Sequence, residues 1–593
     1  MKTFNKLFKN IFFCTLLGTA VCSCDLEVEP TSNIATETYW KTEKDAWYNL
    51  NAIYSASIPG SAVHSDSYSN DAYCQYAWES NGPVYQQNGL SALYDEGWNF
   101  ETIRKQNIFL QEVDNCEMDE ALKERFKVEV RAMRAWSYLG MTLTFGKVPL
   151  ITDVLSYDAP NIPRDEVSVV REFIMKELTE AAEALPASYS GGYPNEKGRI
   201  TKYATLAVKA RAALYFGDYA TAETTAKRIM DEGGFSLFRI SQLSEAQQKE
   251  AEEMSLFIDF DKYGIDKDKF IKGMFSYETL WHTENGNPDN PEYVMTRQYT
   301  ASSWDYQDMA RYTSIRPNQL GGWSSVTPTQ NLVDSYWAVD GSEPNVPTTD
   351  QRKEAYNKIK SDLDAYTPPA GEAKFLSFAS NLIDNGKLKE YDYIKEFRNR
   401  DSRLYVSILF PFKSWYETNY GNDFIYEWIK NGNNESKTGF NFRKMSPLEN
   451  DANNDGQATG DYPCIRYAEI LLIFAEAHTQ TTGFDAQTQA ALNQLRDRCG
   501  MPNVPTSLSK EAGLALIRNE RRIELAGEGL RNDDLCRYGN DYWSKQMNNV
   551  DITTPDGERI ITMKWDTRMQ LRPIPQTAID LNPLLATDQN PGY

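Results

Sequence analysis

Apolar positions along the chain fall into three blocks with a helical period. In the first, Leu122, Phe126, Val130, Met133 and Ser137 recur at intervals of four, four, three and four, the spacing that keeps one face of a helix apolar. RFKVEVRAMRAWSYL fits that face, and Gly146 and Pro149 in TFGKVP predict where the helix stops. In the second block, Leu206, Ala210, Ala213 and Leu214 make one stripe, GDY breaks it, and Tyr219, Ala222, Ala226 and Ile229 start another. The third repeats the scheme. Ala468, Leu471, Leu472 and Ala475 share a face, Gly483 turns the chain, and Ala491, Leu492 and Leu495 continue on a second helix.

Small alanines at facing positions let two antiparallel helices approach closely. ALYFGDYATAETTAK therefore looks like a tetratricopeptide hairpin. The helix pairs are not contiguous, so their packing has to be reassembled around long insertions. Residues 60–97 and 281–345 are rich in Asn, Ser, Gly, Pro, Tyr and Trp and show little 3.6-residue period. They read as long loops and short strands, and loops of that length in a compact protein are usually functional. The expected fold is mainly α: a tetratricopeptide-like helical scaffold, mainly at 98–240 and 463–540, carrying loop-rich and short-strand insertions.

Residues 1–23 change the picture at one end. Lys2, Lys6 and Lys9 precede an apolar or small run from Ile11 to Val21, which is too short to cross a hydrocarbon core of roughly 30 Å. It reads as a cleaved signal peptide. Ser23 before Cys24, with Val21 three places upstream of the cysteine, resembles a bacterial lipoprotein box whose thiol is acylated at Cys24. Cys22 is a competing acceptor, but the bulky Val21 would then precede the cut. An ordinary secretory signal with incidental cysteines is the alternative. Acyl chains on one cysteine moor a protein without a membrane span. Asp25, Glu27 and Glu29 then follow, which resembles an outer-surface export signal in Bacteroidetes-type bacteria.

Charge and composition exclude several classes. The 593 residues carry a formal charge of −22. Without the three lysines of residues 1–23, 59 basic residues face 84 acidic ones, a charge of −25. Nucleic acid is a poor partner for such a chain. After Cys24 the cysteines are Cys74, Cys116, Cys464, Cys499 and Cys536, scattered and odd in number, so neither a disulfide framework nor a zinc ribbon is supported. Three histidines, His64, His282 and His478, and no HExxH leave no histidine-based metal site. Aromatics stand out, with 13 Trp, 35 Tyr and 26 Phe. Those in loop-like sequence are not readily assigned to packing.

Six segments in order resemble the SusD/RagB family of outer-membrane glycan-binding lipoproteins. They are VRAMRAWSYLGMTLTFGKVPLI (Val130 to Ile151), GRITKYATLAVKARAALYFGDYATA (Gly198 to Ala222) and TPTQNLVDSYWAVDG (Thr327 to Gly341). RNRDSRL follows (Arg398 to Leu404), with Ser402 where the family has proline. Then come YPCIRYAEILLIFAEA with IRNERRIELAGEGLRNDDLCRYG, and the closing LRPIPQTAIDLNPLLATDQNPGY (Leu571 to Tyr593). Gly527, Leu530 and Asn532 depart from the commoner aromatics or histidine. The resemblance covers essentially all of 24–593, as one SusD-like domain. It implies a surface-exposed, lipid-anchored outer-membrane protein with a tetratricopeptide-like scaffold and a ligand-binding loop face. It also implies a SusC-type TonB-dependent transporter as partner, a glycan as ligand, and no catalysis.

The residues themselves give little support for an enzyme. Glu520, Glu524 and Glu528 are spaced i, i+4, i+8 on a predicted helix, but Arg518, Arg521, Arg522 and Arg531 interleave with them. Positive neighbours favour the ionised carboxylate, whereas a glycosidase needs one carboxyl protonated. The cluster reads as a helix-locking ion network. GxSxG, Walker A and GxGxxG are absent, and no cofactor is expected. DANNDG (Asp451 to Gly456) resembles the opening of a calcium loop, yet Tyr462 stands where the bidentate glutamate belongs.

A neutral sugar presents an apolar C–H face and a rim of hydroxyls. Rigid rings stack on the first at little entropic cost, while Asp, Asn, Gln and Arg bond the second. SDSYSNDAYCQYAWESNGPVYQQNG offers Tyr73, Tyr76, Trp78 and Tyr85 among Asp71, Asn81 and Gln86. RQYTASSWDYQDMARYTSIRPNQLGGW offers Tyr299, Trp304, Tyr306 and Trp323 among Arg297, Asp305, Asp308 and Arg311. Two of Trp78, Trp304 and Trp323 are expected to contact ligand, whereas Trp47, Trp98, Trp136 and Trp337 are expected to pack. Capture of peptides or another nutrient is the alternative to glycan binding.

Overall fold

Each helical block expected from the periodicity is a helix in the computed structural model. It describes residues 39–59, 62–156, 158–189, 196–282, 285–299, 315–416, 424–446 and 460–593 and is 53% helical. The longer helices, numbered along the chain, begin with α1 (Glu43–Ser57), α2 (Phe100–Glu112), α3 (Glu120–Phe145), α4 (Val167–Ala184), α5 (Lys202–Phe216) and α6 (Tyr219–Glu232). They continue with α7 (Lys267–Thr279), α8 (Thr349–Ala365), α9 (Lys374–Asp384), α10 (Tyr467–Thr481), α11 (Ala486–Arg498) and α12 (Lys510–Glu524).

Local chemistry sets the α5–α6 hairpin. Thr201 Oγ1 accepts from Ala204 N at 3.1 Å and starts α5. Gly217, at φ 79°, takes the left-handed conformation that ends it. Asp218 then accepts from Thr221 N at 3.1 Å to start α6. The buried stripe Ala204, Ala207, Ala210 and Ala213 lets the neighbouring helices close in. α6 packs on α10, and α10 in turn on α11 and α12, so the non-contiguous pairs do assemble in space. One apolar core runs through α1–α6 and α10–α12.

A second core, less visible in the sequence, lies under α7–α9 and the strands beside them. Four of the short strands bear on the site: β1 (Ala72–Cys74), β2 (Tyr293–Arg297), β3 (Val326–Pro328) and β4 (Tyr462–Arg466). β1 pairs antiparallel with β3, Tyr73 opposite Thr327. β2 pairs antiparallel with β4, Tyr293 opposite Arg466. The insertions also hold short helices that the loop reading missed, Val63–Asp66, Gly82–Gln86 and Gln330–Ser335.

Trp337 is buried and donates from Nε1 to Glu520 Oε2 at 3.0 Å. Trp47 meets Phe126 edge-on at 4.5 Å, Trp98 meets Phe145 at 4.9 Å, and Trp136 is packed against the first core. All four serve packing, as expected. The five cysteines after Cys24 are free thiols.

Candidate functional site: an aromatic shelf

The β1–β3 pairing brings the two aromatic-rich insertions side by side. Cys74 lies opposite Val326, and Gln75 N donates to Ser325 O at 2.8 Å, which extends the ladder by one residue. Beyond this point the chain turns outward, with Glu79 N bonded to Tyr76 O at 3.1 Å. Tyr76 and Trp78 then stack, ring centroids 4.4 Å apart and planes 24° apart. Trp78 is 77% exposed, a large apolar ring displayed to solvent.

Trp323 stands in the loop three residues before β3, at 37% exposure. Its turn admits only glycine at 322, where a Cβ would sit 2.1 Å from the Arg316 carbonyl oxygen. The same carbonyl accepts from Ser324 N at 3.0 Å. Gln75 Nε2 lies within hydrogen-bond reach of the carbonyls of Trp323 (3.1 Å), Ser324 (2.7 Å) and Glu435 (3.1 Å). One amide thereby fixes both strands to a third segment.

That third segment, residues 424–442, was not anticipated from the sequence. Trp428 Nε1 donates to Ser436 O at 2.9 Å and closes its loop. Thr438 Oγ1 donates to Thr327 Oγ1 at 3.0 Å and ties it to β3. Tyr76 OH donates to Asn434 Oδ1 at 2.7 Å. The result is a shelf of Tyr76 and Trp78 edged by Gln75 and Asn434, with the exposed Trp323 on the neighbouring loop that Gln75 holds by its carbonyl. On the β1 side, Glu79 accepts from Ser325 Oγ at 2.8 Å and lies 3.2 Å from His64 Nε2. The signal for Asn434 was a polar stretch, KNGNNESK, that has no aromatic of its own.

The other expected site residues fall in different places. Tyr85 is buried, its hydroxyl bonded to Met569 O at 2.9 Å. Asp71 is buried beside Arg522, which donates to it from Nε at 2.8 Å, with Arg531 at 3.6 Å. A surface ligand does not reach either one. Tyr73 packs half-buried against the Tyr85 cluster. Asn81 donates to Glu96 Oε1 at 2.7 Å. Arg297 is held by the carbonyls of Ser55 (2.9 Å) and Ile58 (2.8 Å) and lies 5.6 Å over the Tyr299 ring. Trp304, Asp305, Tyr306 and Arg311 lie outside the described residues, as do Cys24 and the DANNDG stretch.

The carboxylate cluster is an ion network, although its partners and its helix differ from the expectation. α12 ends at Glu524, so Glu528 sits in the turn beyond it. Glu520 accepts from Arg403 at 2.6 Å and Arg496 at 3.2 Å. Glu524 accepts from Arg403 at 2.9 Å, Arg466 at 2.7 Å and also Arg498. Glu528 accepts from Lys444 and Arg466, each at 2.7 Å. The helix's own arginines turn elsewhere: Arg521 to Asp534 at 2.8 Å, Arg522 to Asp71, and Arg518 over Tyr538 at 4.4 Å. Burial raises the carboxyls of Glu520 and Glu524, but the guanidiniums around them outweigh it and hold both below the usual range. Such groups stay ionised and donate no proton. Among the described residues no cluster of His, Cys, Asp and Glu has a metal-binding arrangement.

Residues 291–593, just over half of the chain, match the family model described as the SusD family. The chain belongs to the SusD family. Residues 28–214 match a second SusD-like model, described as "Starch-binding associating with outer membrane". The SusD-like protein P38 of Formosa agariphila is 24% identical over 571 residues, covering 90% of this chain and 92% of that protein. A solved SusD-like protein from Bacteroides fragilis superposes with a TM-score of 0.72 at 24% identity, covering 94% of this chain and 98% of that one. A laminarin-binding SusD-like protein superposes with a TM-score of 0.57 at 20% identity, over 93% and 100%. These superpositions show that the helical frame is the SusD-like fold.

Proposed function

We propose that this SusD-like protein is a cell-surface lipoprotein that binds oligosaccharide or polysaccharide and delivers it to a SusC-type TonB-dependent transporter, without cutting it. Its single SusD-like domain, 24–593, is anchored through acylated Cys24. The observation that carries the reading is the Tyr76–Trp78 stack, facing solvent beside Trp323 and edged by the amides of Gln75 and Asn434. Exposed rings with a polar rim suit the two kinds of surface on a sugar. The starch-binding description of the model over 28–214 and the laminarin-binding structural relative favour a glucan. Trp304, Tyr306, Asp305 and Arg311 complete the proposed ligand face from the neighbouring insertion, with Tyr299 and Arg297 at its base.

Affinity gels and calorimetry against starch, laminarin and a panel of other polysaccharides, with a protein digest as control, test the reading. Trp78→Ala and Trp323→Ala should each weaken glycan binding by about tenfold, ~1.4 kcal/mol. No reducing ends should be released. Binding of the digest alone would make the protein a peptide-capture lipoprotein. Retention of full glycan affinity by both variants would move the site elsewhere. Cys24→Ala should release the protein from the membrane, and the anchored form should co-purify with its transporter.

A further inference from the structure

A carboxyl with one oxygen unpartnered adjoins the edge of the shelf. Glu435 follows Asn434, is 2% exposed, and gives its backbone carbonyl to Gln75. Its Oε1 accepts one long hydrogen bond, from Asn318 Nδ2 at 3.4 Å. Its Oε2 has no partner among the described residues. Among the described residues, the titratable groups that interact with it are Glu427, of the same sign, at the start of the same loop, and the buried Tyr426, whose phenol is pushed up by burial and further by this charge. Lys430, the basic residue between Glu427 and Glu435, is drawn off to Asp556 and to Glu558 at 2.8 Å. Gly432 closes over the side chain so tightly that a Cβ there would sit 2.5 Å from Glu435 Cγ.

A buried carboxylate with one weak donor and a like charge nearby is costly, whereas the neutral acid is tolerated. Burial lifts this carboxyl to about 7; the bond from Asn318 opposes the rise and Glu427 adds to it. Asn434 and Glu435 are adjacent, so movement of one pulls on the Tyr76 hydroxyl and on the Gln75 amide together. We propose that Glu435 is a positioning residue for the shelf, closing the 429–436 loop onto Tyr76 and Gln75 as the neutral acid and loosening that edge on ionising. The link to affinity rests on the shelf being the ligand site; the link to the loop does not.

The test compares the full protein with Glu435→Gln, which keeps the shape and cannot ionise. In ligand-free protein, hydrogen-exchange protection of residues 429–436, corrected for intrinsic rates, should fall at least about threefold from about pH 6 to about pH 8.5. In Glu435→Gln it should stay flat. Affinity for maltohexaose or laminarihexaose should weaken over the same range in the parent and not in the variant. Equal protection at both pH values in the parent overturns the proposal, as does an unchanged pH profile in Glu435→Gln. If the variant does not fold, the parent's loop profile decides alone. A pH-sensitive loop in a protein that binds neither sugar supports the positioning role while removing the glycan reading.

Discussion

At the scale of single residues, burial separates rings displayed to solvent from rings that pack. Trp78 has its partner Tyr76 on one face and solvent on the other. Trp78→Ala should therefore lower ligand affinity while leaving the thermal midpoint within about a degree, since exposed sites are usually near neutral for stability. Trp543, fully buried in the cluster with Tyr85 and Met569, should do the reverse. Trp543→Ala should cost about 3–5 kcal/mol of stability, measurable by denaturant unfolding, with affinity retained at temperatures where the variant is folded. Composition was enough to expect Trp78 and Trp323 at the surface, because rings in loop sequence have few packing partners along the chain. It misplaced Tyr85 and Asp71, whose burial comes from Met569 and Arg522, far away in sequence. It missed Asn434 because the contact with Tyr76 spans 358 positions and leaves no local pattern.

At the scale of elements, helices with an alanine or leucine stripe were readable because period, caps and glycine stops agree within each segment. The second core was not, since α8 buries only Tyr356, Ile359 and Leu363 along its length. The seam between the cores is electrostatic. Arg403 bonds Asp401, Glu520 and Glu524 with no solvent exposure. Arg403→Met should leave three carboxylates short of a partner and cost about 3–5 kcal/mol, read as a lower urea midpoint. Glu520 and Glu524 are held below their usual range, so their contribution is complete above an unfolded value near 4.5 and is lost as pH falls through the lower folded values. His478 works in the other direction. It lies 2.8 Å from Glu223 of α6 and 3.1 Å from Asp485, which caps α11. Burial lowers its pKa, but the two carboxylates outweigh that and raise it above 6.5. Its contribution is therefore full below pH 6.5 and fades as pH rises through the higher folded value. The thermal midpoints of parent and His478→Gln should differ most in mild acid and converge at alkaline pH.

At the scale of the whole molecule, the overall charge is −22, and among the described residues no helix is long and apolar enough to cross a membrane. The sequence conveyed the helical frame and the ordered family segments, but not the way the chain returns upon itself. Residues 571–593 run back to the loop after α3. Arg164 donates to Asp588 and Asn590, each at 2.9 Å, and Asn590 donates to Phe145 O at 3.0 Å. Arg164→Ala should strand these acceptors, with an expected loss of about 1–3 kcal/mol, seen as early unfolding of the segment at 571–593 in hydrogen exchange. The two ends of the Arg164–Asp588 contact are 424 positions apart, so it closes only after the chain has folded back over most of its length. Until that clasp closes, Arg164 and the Phe145 carbonyl at the α3–α4 junction lack these partners. The junction thus depends for its closure on a short strap drawn from the far end of the sequence.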